Sequence, residues 1–116
     1  MTNQFPNENV AAVLRRFLEL PETPAKASFN DTRTAAKLLE SGVRPSTIES
    51  AFLLATVRRL GRSSDLPPLS PIRSLAYFLP VIQELINNPI PDDYVSYLRR
   101  KVRLLSGNNK TKPNCS

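Results

Sequence analysis

At 116 residues the chain is long enough for one hydrophobic core and too short for two, so a single domain is expected over residues 1–107, with a polar tail at 108–116. A hydrophobic content of 41% beside 22% charged residues fits a soluble globular protein, and eleven prolines against three glycines argue against a continuous sheet. The formal net charge of +6 favours acidic partners, nucleic acid first among them, while the absence of histidine removes the commonest metal ligand and general base at neutral pH.

The opening residues have no basic region followed by a long apolar run, so no signal peptide is expected. Cys115 is the only cysteine, which rules out an internal disulfide and points to a cytoplasmic protein. After a frayed lead, a first helix is expected from Asn7 or Glu8 to Leu20. Val10, Val13, Leu14, Phe17 and Leu18 share one face, and Pro21 is the stop. Residues 22–29 read as a loop, with Phe29 as a staple before a second helix. Asn30 or Asp31 would cap that helix, and Gly42 would end it.

The third helix, residues 46–60, organises the chain. Ala51, Phe52, Leu53, Leu54, Ala55 and Val57 point around its whole circumference, so neighbours must cover it on most sides. Ser46 with Glu49 has capping-box spacing, and Gly61 would supply a left-handed stop. Its apolar run is far too short to cross a bilayer. Residues 62–71 are expected to run extended, with Leu66 and Leu69 available for packing.

Ser70 and Pro71 read as the start of a fourth helix reaching Asn87. Ile72, Leu75, Ala76, Leu79, Val81, Ile82 and Ile86 keep helical phase, and Pro80 either kinks that helix or breaks it in two. A fifth helix opens at Pro91-Asp92-Asp93, with Tyr94, Val95, Leu98, Val102 and Leu105 as its inner stripe and Gly107 as its end. The tail after it, with nothing to bury, should be disordered. The fold class is therefore all-α, a compact bundle of about five helices around a central buried one.

Catalytic chemistry is largely excluded. No glycine-rich phosphate loop exists, no nucleophile–histidine pair is possible, and Asp92 and Asp93 lack a third acid at partnering spacing. Tyr94 and Tyr97 lie close to arginines, but helical packing with surface hydroxyls explains them better than strand cleavage does. A non-enzymatic protein without cofactor, metal or small-molecule substrate is expected.

The cations form three groups: Arg15 and Arg16; Arg58, Arg59 and Arg62; and Arg99, Arg100, Lys101 and Arg103. Each could simply complement the negative end of its helix on a solvated face. Alternatively, two groups converge into a strip whose guanidinium forks take phosphate oxygens. The candidate nucleic-acid-binding residues are Arg58, Arg59, Arg62, Arg99, Arg100, Lys101 and Arg103. The second and third helices have a helix-turn-helix outline, but the apolar body of the third cannot lie in a groove, so sequence-specific readout is not expected.

Two stretches, TAAKLLESGVRPSTIESAFLLATVRRLGR (residues 34–62) and PIRSLAYFLPVIQEL (residues 71–85), resemble helical segments of replication-initiation and replisome-organiser proteins of plasmids, phages and other mobile elements. The resemblance covers somewhat under half of the chain and rests on apolar positions. It implies a small helical accessory or C-terminal module acting near DNA; another protein of the same operon is a further expected partner. The winged-helix part usual in such proteins is not evident, which argues against autonomous origin recognition. The alternative function is a protein–protein adaptor whose basic surface keeps it soluble. Attachment to a membrane is not expected, because the fifth helix lacks a large aromatic apolar face.

Overall fold

A sixteen-residue helix that is apolar on every side can be stable in water only when other elements enclose it. The computed structural model, which describes residues 8–63 and 65–108, builds that enclosure from α-helices alone, with no strand among the described residues. The order is α1 (Glu8–Leu18), α2 (Phe29–Glu40), α3 (Pro45–Leu60), a 3-10 turn (Leu75–Phe78), α4 (Leu79–Asn87) and α5 (Asp92–Asn108). Helix α3 packs against α1, α4, α5 and the 3-10 turn, and α2 closes over α1 and that turn. Residues 50–56 of α3 are all buried, so the central-helix expectation holds. The expected frayed lead (residues 1–6) and the tail beyond Asn108 lie outside the described residues.

Three phenylalanines join the layers. Phe17 of α1, Phe52 of α3 and Phe78 of the 3-10 turn are at most 1% exposed. Their ring centroids lie 6.2, 6.0 and 4.9 Å apart in tilted or edge-to-face pairs, the arrangement aromatic quadrupoles favour. Around them lie Val10, Val13, Ile48, Leu75, Ile82, Leu85 and Leu98, each almost wholly buried.

The helix ends depart from the sequence reading in ways that matter for the surface. Helix α1 stops at Leu18, two residues short of the expected Leu20. Helix α2 is capped by Ser28, not by Asn30 or Asp31. The Ser28 hydroxyl accepts from Asp31 N–H, and the Asp31 carboxylate accepts from Ser28 N–H. Phe29 is thereby drawn into the first turn and is 77% exposed instead of stapled down. Gly42 does supply the left-handed turn after α2, with φ of 99°.

Helix α3 starts one residue before the expected capping box. Pro45 occupies the first turn and the Arg44 side chain makes no cap bond. Glu49, released from capping, reaches out to other helices. Gly61 caps the far end at φ −87°, without the expected left-handed turn.

The segment before α4 shows the largest difference. Ser70-Pro71 starts no helix; the 3-10 turn is capped by Ser74, and α4 begins at Leu79 with Pro80 in its first turn, where a missing N–H costs nothing. Two donors of this segment are taken by distant acceptors, since Ile72 N–H bonds Glu22 O and Leu75 N–H bonds the Asp31 carboxylate, both at 2.9 Å. The phase shift buries Phe78 and Leu85 and leaves Ile86 and Leu79 partly in solvent, and Leu66 and Leu69 are also exposed. Helix α5 continues through Gly107 to Asn108. Tyr94, expected on its inner stripe, lies outward.

Candidate nucleic-acid interface

The basic exit of α3 is bonded to acceptors within the molecule. Arg58 forms a bidentate pair with Glu84 of α4, Nη1 to Oε1 at 2.9 Å and Nη2 to Oε2 at 2.7 Å. That hydrogen-bonded pairing raises the Arg58 pKa and lowers that of Glu84. Arg59 is 8% exposed. Its Nε donates to Glu22 at 2.7 Å, Nη1 to the Tyr77 hydroxyl at 3.4 Å and Nη2 to the Ser70 carbonyl. The guanidinium carbon also lies 5.5 Å from the centre of the Tyr77 ring. Burial works against its charged form, but the bonds to Tyr77 and Glu22 outweigh it and raise its pKa. Arg62 donates to the Pro67 carbonyl at 3.0 Å. These three arginines tie α3 to α4, to the α1–α2 loop and to the proline-rich segment. Arg59 in particular is removed from any phosphate-binding strip, because its donors already have acceptors.

The third group has a different environment. Arg99 lies 3.7 Å from Glu49, an ion pair that leaves half of its side chain in solvent. Arg100, Lys101 and Arg103 have no hydrogen-bond or ion-pair partner among the described residues. Arg100 and Arg103 are exposed and Lys101 is half-buried.

Arg16 of α1 joins this group from the far side of a groove. It contacts Glu49 at 2.6 Å, so Glu49 stands between Arg16 and Arg99 and links α1, α3 and α5. The groove, about 250 Å³ in volume, has Arg16, Arg99 and Arg103 on its walls and Phe52, Leu53 and Val102 at its apolar base. Arg16 of the first cationic group therefore converges with Arg99 and Arg103 of the last, and the middle group does not join them. Arg16 was visible in the sequence as a local cation; its place beside α5 follows from α1 and α5 both packing on α3.

The outer face of α5 also exposes Tyr94 and Tyr97, by 42% and 41%. Their rings stack with centroids 5.5 Å apart and an interplanar angle of 26°. Their packing is therefore ring on ring at the surface, not ring into core. Among the described residues there is no group of three or more metal-ligating side chains, and no helix is long and apolar enough to cross a membrane. No protein-family model, no curated protein and no solved structure matches the chain.

Proposed function

We propose that this chain is a non-enzymatic helical module that binds the phosphate backbone of nucleic acid through α5 and the facing wall of α1. It would serve as a cytoplasmic accessory protein of a replication system or mobile element. The observation that carries the reading is the convergence of Arg16 with Arg99 and Arg103 around one groove, next to Arg100, which has no partner among the described residues. Unpaired exposed arginines on a rigid helix can exchange water for phosphate oxygens without breaking a structural bond. The resemblance of residues 34–62 and 71–85 to replication-initiation modules supports the biological setting. Arg58, Arg59 and Arg62, fixed to intramolecular acceptors, are left out of the contact surface.

Anisotropy titration of labelled DNA over a salt series from about 50 to 200 mM tests the reading. Binding should weaken linearly in log–log form, and the double change Arg100→Glu with Arg103→Glu should abolish it at unchanged thermal stability. The same change at Arg62 should have a much smaller effect. Undetectable affinity for every nucleic acid at low salt would overturn the proposal and leave the adaptor function.

A further inference from the structure

Resting on the reading of α5 as the contact surface, we infer that its preferred ligand is a single strand, with unpaired bases on the Tyr94–Tyr97 ledge and the adjoining phosphates on Arg100 and Arg103.

The first ground is the state of the two rings. Large aromatic side chains are stabilised by burial, yet both of these leave about two-fifths of their surface in water. Neither hydroxyl has a hydrogen-bond partner among the described residues. The rings are covered on one side and offer a flat apolar surface to solvent on the other. Flat, exposed aromatic rings beside cations are what single-strand binding surfaces use, because every base has a π-face to stack.

The second ground is placement along the helix. Tyr94 and Tyr97 are three residues apart, and Arg100 follows at the same spacing, so the three lie within one side of the cylinder. Arg103, nine residues after Tyr94, lies about half a turn around the cylinder from it, on the flank that lines the groove with Arg99. At about 1.5 Å per residue, the distance along the axis from Tyr97 to Arg103 is roughly 9 Å. The tyrosine ledge and the groove cations therefore lie on the two flanks of α5 with Arg100 between them, and a strand with its bases on the rings meets Arg100 first and crosses the exposed face to reach Arg103.

The third ground concerns what α5 cannot do. Helices that read duplex DNA present their N-terminal residues to the base edges of the major groove. Here that end begins with Asp92 and Asp93, whose charges oppose approach to phosphate. The cations lie in the second half of the helix. Within a duplex, moreover, base faces are covered by their neighbours, so the tyrosine ledge would gain nothing. The acidic start has a further consequence for a single strand: its phosphates are driven away from Asp93 and toward Arg100 and Arg103, which fixes the course of the backbone along α5.

The test compares three labelled probes of equal length, about 16 nucleotides: oligo(dT), oligo(rU) and a DNA duplex. With no tryptophan and three tyrosines in the chain, tyrosine emission reports directly on the ledge, and Tyr77→Phe removes the contribution of the third. Either single strand should bind about tenfold or more tightly than the duplex, and should quench tyrosine emission on binding. The tighter of the two identifies the sugar. Tyr94→Leu and Tyr97→Leu should each weaken single-strand binding about tenfold and leave the salt slope unchanged, since they remove stacking and not charge. Because leucine keeps apolar contact on the covered side of each position, melting curves of these variants should stay close to the parent's. Should either variant fail to fold, the quenching of the unaltered protein still decides the matter.

Salt-dependent binding that is equal for single strands and duplex, with no quenching, overturns the stacking inference while the phosphate-contact proposal stands. Absence of binding to all three probes overturns both.

Discussion

Arg59 Nε donates to Glu22 Oε1 at 2.7 Å, across thirty-seven residues of sequence, and so joins the last turn of α3 to the loop after α1. Glu22 itself has φ of 67°, the left-handed region a non-glycine residue enters at a cost of about 1 kcal/mol. Two tertiary bonds hold it there, one to its carboxylate from Arg59 and one to its carbonyl from Ile72 N–H. The Arg59 fork also supplies the donor for the Ser70 carbonyl, so one side chain ties both the Glu22 loop and the far end of the proline-rich connection to α3.

The first prediction follows from that arrangement. Arg59→Ala should destabilise the fold by about 2–3 kcal/mol, the sum of charge-assisted bonds lost and of the packing of its stem. Arg59→Lys should recover little, because an ammonium on a flexible stem cannot meet three acceptors in fixed directions. Denaturant unfolding at constant m-value measures both changes. A cost below about 0.5 kcal/mol for Arg59→Ala, the range of ordinary surface substitutions, would show that the exit of α3 is not tied down as described.

The carboxylate of Asp31 is 2% exposed and accepts two backbone N–H groups, from Ser28 within its own helix and from Leu75 forty-four residues away. Replacing one of its oxygens by an amide would set a donor against a donor. Asp31→Asn should therefore cost about 1–3 kcal/mol although shape is preserved, whereas Asn30→Asp, at an exposed neighbour, should be nearly neutral. Equal melting temperatures for Asp31→Asn and the parent would refute the two-acceptor role.

Thr56 gives a prediction of opposite sign. It is 2% exposed and its hydroxyl oxygen has no hydrogen-bond partner among the described residues, so its polarity is buried without return. Thr56→Val keeps the branched shape and removes the unpaired group, and should stabilise the protein by about 1 kcal/mol. A loss of stability would mean that the hydroxyl has a partner, such as an enclosed water.

Acid should act through Glu84. Its pKa is lowered by the hydrogen bonds from Arg58, so the charged carboxylate favours the folded state. That stabilisation is fully present above the ordinary glutamate pKa of about 4.3 and is lost as pH falls through the lower folded-state value. Melting temperatures of the parent and Glu84→Gln should differ by a constant amount at neutral pH and converge in acid. With no histidine in the chain, the described fold should show little pH dependence between about 6 and 8. A difference that persists unchanged to strongly acid pH would remove Glu84 as its source.

The burial of α3 was legible because six consecutive apolar-rich positions cannot face water on any side, and tertiary context had no freedom to alter that. Its start was less so. Ser46 and Glu49 have capping-box spacing, but Pro45 has its φ already set for the first helical position, and that preference prevails. The start of α4 was displaced because Ile72 and Leu75 spend their N–H groups on Glu22 and Asp31, partners that no local pattern around Ser70 or Ser74 reveals. The same limit applies to the arginines. Arg58, Arg59, Arg62, Arg100 and Arg103 look alike in sequence, and only the three-dimensional positions of Glu84, Glu22 and the Pro67 carbonyl separate the fixed from the free.

The most discriminating prediction for the proposed interface concerns Glu49. It contacts Arg16 at 2.6 Å and Arg99 at 3.7 Å, and it is the acidic residue between two cations that would otherwise face a phosphate. The two arginines keep about half of their side chains in solvent, so the contribution of the pairs to stability is small, about 0–1 kcal/mol. Their effect on binding is larger: while Glu49 is charged, Arg16 and Arg99 are partly neutralised and an incoming phosphate meets a third, repelling charge. Glu49→Gln should therefore change the melting temperature little but tighten nucleic-acid binding several-fold at low salt. The log–log salt slope should steepen by about one, as Arg99 becomes able to displace a counterion, while Arg16 keeps its second pair with Glu19 at 3.5 Å. Reversing the neighbouring cation, Arg99→Glu, should weaken binding and flatten the slope. If Glu49→Gln bound less tightly while remaining folded, Glu49 would be positioning the arginines for the phosphate instead of competing with it.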